Sequence, residues 1–305
     1  MHLANKYPLI ARKPNDTYIY GFTSQGIYFS QTSFTIFAGL NAVDNPINVE
    51  HTFKALQQHG LTCARMGVFK PRTSPYSFQG LGVECLSYVF ALAATYDIKL
   101  IAMEITHEQQ LDHVSNILAQ QNNPTKILIQ IGTRNAQNFE LLKQIGKQKE
   151  YPILYKRGYG ITLEESIAAC EYLAHAGNNK IIFCLRGMKS QFAETHRNFV
   201  DFTQVPMLKR LTTMPICIDP SHAVGNYAVD LDGIPDIFHA TAQGIIAGAN
   251  AILVDIHPEP SQALVDAKQA ICLEQLEKFL QDVYLSRELY KQRLHLHKAT
   301  EHVSV

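Results

Sequence analysis

The chain has 305 residues, 46% of them hydrophobic, and its 27 Lys and Arg balance 27 Asp and Glu. That composition supports a sizeable core but gives no bulk charge to attract nucleic acid or an anionic membrane, so any cationic site must be local. No apolar run reaches the roughly 18 residues of a membrane span, and "MHLANKYPLIARKPNDTY" lacks the apolar core and cleavage pattern of a signal peptide. The six cysteines (Cys63, Cys85, Cys170, Cys184, Cys217 and Cys272) form no CxxC pair, which predicts buried, reduced thiols in a cytoplasmic protein.

Residues 1–34 contain "DTYIYGFTSQGIYFSQTSF", whose alternation and Gly-containing turns predict a small β-hairpin that plugs or flanks the rest. From residue 35 short apolar runs alternate with amphipathic stretches. The runs are "TIFAGL" 35–40, "CARMGVF" 63–69, "KLIAMEI" 99–105, "KILIQIG" 126–132, "PILYKRG" 152–158, "KIIFCLRG" 180–187, "PICIDPS" 215–221 and "AILVDIH" 251–257. Between them, "TLEESIAACEYLAHAG" places Leu163, Ile167, Cys170 and Ala174 on one helical face. Thr162 and Glu165 form a capping box before it, and Gly177 ends it. Eight strands alternating with helices over 35–282 predict a (β/α)8 TIM barrel, with a doubly wound open sheet as the competing fold. Residues 283–305 predict a helix fraying into a tail, and the "LHLHK" within it is read as solvated rather than metal-binding.

In such a barrel the strand C-termini build the active site. Asn41, Arg65, Glu104, Gln130, Lys156, Arg157, Arg186, Asp219, His222, Asp255 and His257 all fall at or just past these ends. After the second run, "VFKPRTSPYSFQG" adds Lys70 and Arg72 beside Thr73 and Ser74, stiffened by Pro71 and Pro75. Arg134 follows the fourth run. Cations converging on one mouth repel unless an anion joins them, and Arg suits bidentate phosphate or carboxylate binding. The residues therefore point to phosphorylated small molecules, either two phosphates or a phosphate and a carboxylate. His222, Asp255 and Asp266 suit either a divalent metal or a proton relay.

Across nearly its whole length the chain resembles the 3-deoxy-D-arabino-heptulosonate 7-phosphate (DAHP) synthases of type I-beta. The likeness is carried by "FKPRTSPYSFQGLG", "QIGTRNAQNFELLK", "YKRG", "LRG", "DPSHAVG" and "HPEPSQALVDAKQ". It implies a TIM barrel that joins phosphoenolpyruvate to erythrose 4-phosphate in the first step of the shikimate pathway. It also implies that Arg65, Lys70, Arg134, Lys156 and Arg186 hold phosphoenolpyruvate, while Arg72, Thr73 and Ser74 hold the aldose phosphate. A homo-oligomer is expected on the same ground. The short N-terminal stretch predicts no added regulatory domain.

The metal site departs from the family pattern. Asn41 stands where the family has Cys, and Asp255 where it has Glu, while His222 and Asp266 are kept; Ala267 replaces a Gly, Leu185 a Glu, and Asn226–Tyr227 a stretch that commonly holds Arg. An amide oxygen is a poor substitute for thiolate on a transition metal, so the expectation is no cofactor or a weakly bound divalent metal at Asn41, His222, Asp255 and Asp266. The expected catalytic set is Lys70, His222, Asn41, Asp255 and Asp266. A related synthase using another phosphorylated aldose, or a non-catalytic paralogue that binds phosphorylated ligands, are the alternatives at this stage.

Overall fold

Runs such as "TIFAGL" and "AILVDIH" form strands because β-branched and large apolar side chains fill both faces of a sheet covered on both sides. The computed structural model describes residues 3–14, 16, 18–191 and 195–299. A short helix α1 (Leu3–Lys6) precedes an antiparallel hairpin of β1 (Gly21–Ser24) and β2 (Ile27–Ser30). Then come β3 (Thr35–Leu40), α2 (Pro46–Gln58), β4 (Cys63–Met66), α3 (Val83–Thr95), β5 (Leu100–Glu104), α4 (Glu108–Gln120), β6 (Lys126–Ile131) and α5 (Phe139–Lys147). The chain continues through β7 (Ile153–Lys156), α6 (Leu163–His175), β8 (Ile181–Leu185), α7 (Val205–Leu211), β9 (Ile216–Ile218), α8 (Pro220–Val224) and α9 (Asp236–Ile246). It ends with β10 (Ala251–His257), the two-residue β11 (Ile271–Cys272) and α10 (Leu276–Ala299). Of the tail read at 283–305, residues 300–305 lie outside the described residues, as do 1, 2, 15 and 17 of the N-terminal segment.

Strands β3 to β10 pair in parallel in chain order, and β10 pairs with both β3 and β9. The sheet is therefore closed, a (β/α)8 barrel rather than an open doubly wound sheet. The expected hairpin is present at the N-terminus. Among the described residues no helix is long and apolar enough to cross a membrane.

The period of two along each strand sorts the barrel into layers. Ile36, Ala38, Ile101, Ile127, Ile129, Ile153, Ile181, Phe183, Ile252 and Val254 face the helices in the larger core. Their alternates, Phe37, Cys63, Leu100, Leu128, Leu154, Ile182, Cys217 and Leu253, form a separate inner core. Phe22, Ile27 and Phe29 of the hairpin pack against that inner layer. Phe29, 1% exposed, stacks between Phe22 and Phe37 with ring centroids 5.2 Å and 6.2 Å away. The hairpin thus plugs the end of the barrel where the strands begin. One further step of two residues along the same inner face reaches Gly39, Arg65, Gln130, Lys156, Asp219 and Asp255 at the opposite end.

The local signals that fix the helices are those of the sequence. Thr162 and Glu165 make the reciprocal capping box of α6, and Asn45 caps α2 by accepting from Asn48 N.

Candidate active site

Strand register brings the polar layer together. Asp255 on β10 pairs with Gly39 on β3, which pairs with Arg65 on β4. A Cβ on Gly39 would lie 2.1 Å from the Arg65 carbonyl oxygen, so only glycine fits between the two. Across that gap the buried Arg65 guanidinium forms an ion pair with Asp255 and donates from Nη2 to Asn41 Oδ1 at 3.0 Å. Lys70 Nζ donates to the same Asn41 oxygen at 2.8 Å, while Asn41 Nδ2 donates to Asp266 Oδ2 at 2.8 Å. The Asn41 amide is thus clasped by two cations and one carboxylate.

"DPSHAVG" folds as a short helix by its own chemistry. Asp219 is the N-cap of α8, accepting from His222 N at 3.0 Å; Pro220 opens the helix, and Gly225 closes it in the left-handed conformation with φ 81°. The same Asp219 carboxylate takes Lys156 as an ion-pair partner and accepts from His222 Nδ1 at 3.0 Å. Burial opposes its charge, yet the adjacent His222 and Lys156 hold its carboxyl well below the usual range. Burial pushes the His222 imidazole well below its ordinary value. Its Nδ1–H is given to Asp219, which leaves Nε2 facing Asp266 Oδ2 at 3.8 Å. Lys70 is pushed down by burial to about 7, against the pull of Glu104 and with Arg65 and Lys156 adding to the effect.

The cleft above this layer is lined by seven cations: Arg65, Lys70, Arg72, Arg134, Lys156, Arg186 and Arg197. Only two carboxylates, Glu104 and Asp266, line it. Such an excess stabilises a polyanionic ligand. Among the described residues, Arg72, Arg134 and Arg186 have no carboxylate within ion-pair distance, and Arg186 Nε is buried without a hydrogen-bond partner. Gly132 packs against Glu104, and Gln130 Nε2 donates to Glu104 Oε2 at 3.2 Å.

The strap 67–82 is held at its ends by Lys70 N to Gln79 O at 2.9 Å and Gly82 N to Val68 O at 3.1 Å. It carries Lys70 inward and Arg72 to the cleft wall. Thr73 reaches the site indirectly, accepting from Arg134 Nη2 at 3.3 Å. Ser74 lies on the exposed rim, where its hydroxyl accepts from Tyr76 N at 3.3 Å, and does not line the cleft.

Two strand-end residues prove structural. Arg157 follows inward-facing Lys156 and so points outward, where it pairs with Asp201 at 3.0 Å and Gln204 at 2.8 Å. His257 accepts from Glu259 N at Nδ1 (3.0 Å), so its Nε2–H is donated to Asp44 at 2.9 Å, tying down the loop after β3. Sequence reasoning missed two polar partners. Arg197, in the loop after β8, contacts Asp266 at 3.2 Å and Gln269 at 2.9 Å, and Gln269 donates to Asp255 Oδ2 at 2.6 Å. Among the described residues no group of three or more His, Cys, Asp or Glu side chains is placed to hold a metal ion.

The chain matches the sequence profile of the DAHP synthetase I family over residues 21–292. It is 37% identical over 279 residues to phospho-2-dehydro-3-deoxyheptonate aldolase of Thermotoga maritima, a match that spans 91% of this chain and 76% of that one. It is 25% identical over 269 residues to 2-dehydro-3-deoxyphosphooctonate aldolase of Vibrio atlanticus, spanning 85% of this chain and 90% of the other. The crystal structure of the Thermotoga maritima DAHP synthase superposes with a TM-score of 0.81 at 34% identity, over 92% of this chain and 77% of that one. A truncated form of the Thermotoga maritima synthase gives 0.78 at 30% identity, over 93% and 98%.

Proposed function

This chain belongs to the DAHP synthetase I family, and from that premise we propose which of its side chains carry the family's condensation, and that they do so without a tightly held metal. The reaction joins phosphoenolpyruvate to erythrose 4-phosphate and water, giving 3-deoxy-D-arabino-heptulosonate 7-phosphate and inorganic phosphate, in the shikimate pathway. Lys156, Arg186, Arg134 and Arg65 hold the phosphate and carboxylate of phosphoenolpyruvate, and Arg72 with Thr73 and Ser74 takes the aldose phosphate at the rim. The enolpyruvate C3 attacks the aldehyde carbon, and the carbonyl oxygen takes a proton from Lys70 Nζ. Water adds at C2, giving its proton to His222 Nε2, which Asp219 orients through Nδ1. The C2–O bond to phosphate then breaks: the C2 hydroxyl gives its proton back to Lys70, His222 passes the water's proton to the leaving phosphate, and the ketone and inorganic phosphate remain. Asp266 and Asp255 hold Asn41 and Arg65 in place for these steps.

Members of this family typically depend on a divalent metal. The donors here do not suit one. Asn41 Oδ1 already accepts from Lys70 and Arg65, so an ion bound to it would sit beside two cations. Asp255 gives its oxygens to Arg65 and Gln269. The doubly occupied amide oxygen carries the reading: two fixed cations would supply the positive charge that a metal would otherwise bring to the aldehyde. The expectation is substoichiometric metal after purification, and phosphate release from the two substrates that persists in chelator. One tightly held metal per chain, with activity abolished by chelation and regained on metal addition, overturns the metal-independent part. Absence of phosphate release under both conditions overturns the catalytic assignment. Asn41→Cys combined with Asp255→Glu should convert the site to tight metal binding.

A further inference from the structure

We propose that Tyr159 is a positioning residue for the phosphate end of the cleft, its ring gathering Arg134, Arg186 and Lys189 into one anion-binding group before any ligand arrives. Tyr159 sits in the loop after β7, between the loops that carry these cations after β6 and β8. Arg186 Cζ lies 4.8 Å from the ring centroid, Lys189 Nζ 5.1 Å and Arg134 Cζ 5.9 Å. Lys189 N donates to Tyr159 O at 2.9 Å, so the two loops are also joined through the backbone.

Three like charges meeting at one point need an attractive partner. Among the described residues no carboxylate pairs with any of the three. The negative face of an aromatic ring supplies that attraction without adding a charge that would repel the substrate. A guanidinium held by its face keeps its in-plane N–H donors for an anion, and the buried, unpartnered Nε of Arg186 is such a donor. Arg134 also donates to Thr73 at 3.3 Å, so the ring sets the spacing between this end of the cleft and the strap. Lys189 is exposed at the lip and becomes an additional contact for the incoming phosphate.

The inference rests on the reading that this cleft binds phosphoenolpyruvate. The experiment compares Tyr159→Leu and Tyr159→Phe by steady-state kinetics and by calorimetric titration of phosphoenolpyruvate into the protein alone. Leu should raise the KM for phosphoenolpyruvate about tenfold, with kcat within about twofold and Tm unchanged, while Phe restores the wild-type value because the ring face is kept. Lys189→Ala should weaken phosphoenolpyruvate binding in the wild-type background and have no further effect in the Tyr159→Leu background. A wild-type KM in the Leu variant overturns the proposal, and so does a Phe variant as impaired as Leu. Failure of the unaltered protein to bind phosphoenolpyruvate would instead overturn the functional reading beneath it.

Discussion

Replacing Asp219 by Asn isolates what one buried carboxylate does. Asp219 is fully buried and serves three donors: Lys156 Nζ, His222 N and His222 Nδ1. Lys156 is 3% exposed and, among the described residues, has no other carboxylate within ion-pair distance. Asn keeps the volume and an oxygen for the cap of α8, so the substitution removes charge rather than shape. Breaking a buried ion pair from one side costs about 3–5 kcal/mol, because the surviving charge stays desolvated. At roughly 2 °C per kcal/mol for a chain of this size, Tm should fall by roughly 6–10 °C. On the proposed assignment phosphoenolpyruvate offers Lys156 a replacement anion, so it should raise the Tm of the variant by more than it raises that of the wild type. Thermal unfolding with and without the ligand measures both quantities. A Tm within about 1 °C of wild type, in place of the expected drop, would falsify the argument, as would a smaller ligand-induced gain in the variant.

Other perturbations separate the parts of the molecule. Arg72→Ala should raise the KM for erythrose 4-phosphate and leave that for phosphoenolpyruvate nearly unchanged; equal losses for both would show that the strap does not divide the substrates. In Gly132→Ala the new Cβ would lie 1.8 Å from Glu104 Oε1, so Glu104 must swing out and release Gln130. That should cost about 1–3 kcal/mol and lower kcat, and wild-type values in both unfolding and kinetics would refute it. Phe29→Ala should cost about 3–5 kcal/mol through the cavity it leaves while both KM values stay put, since the plug lies at the end remote from the cleft. A shift in either KM would show that the plug communicates with the site.

The barrel was legible because each strand is an apolar run with its own boundaries. β3, from Thr35 to Leu40, and β10, from Ala251 to His257, coincide with the runs read from sequence. The polar strand ends were legible too, but not which way they turn. Lys156 and Arg157 are neighbours, and only the strand's alternation sends one into the cleft and the other to Asp201. The partners of the carboxylates were hidden for a different reason. Arg197 and Gln269 sit in irregular loops without periodicity, and their contact joins segments far apart in the chain. Tyr159 was equally silent, because an aromatic residue between two glycines shows its purpose only when three cations arrive from other loops. The capping box of α6 shows the contrast: Thr162 and Glu165 satisfy each other within one turn, so the sequence contains the whole interaction.

Phe29 lies near the start of the chain and Leu253 near its end, yet both belong to one buried layer. A nascent chain that has not yet delivered β10 therefore holds an uncovered aromatic plug, and its β3 and β9 present open edges. The pairing of Thr35 with Ala251 that shuts the ring spans most of the chain, so its loop entropy is settled only after the intervening strands have paired. Emergence from the ribosome, rather than any single contact, sets when the protein stops being an aggregation hazard, and fragments ending before β10 should require a chaperone to stay in solution.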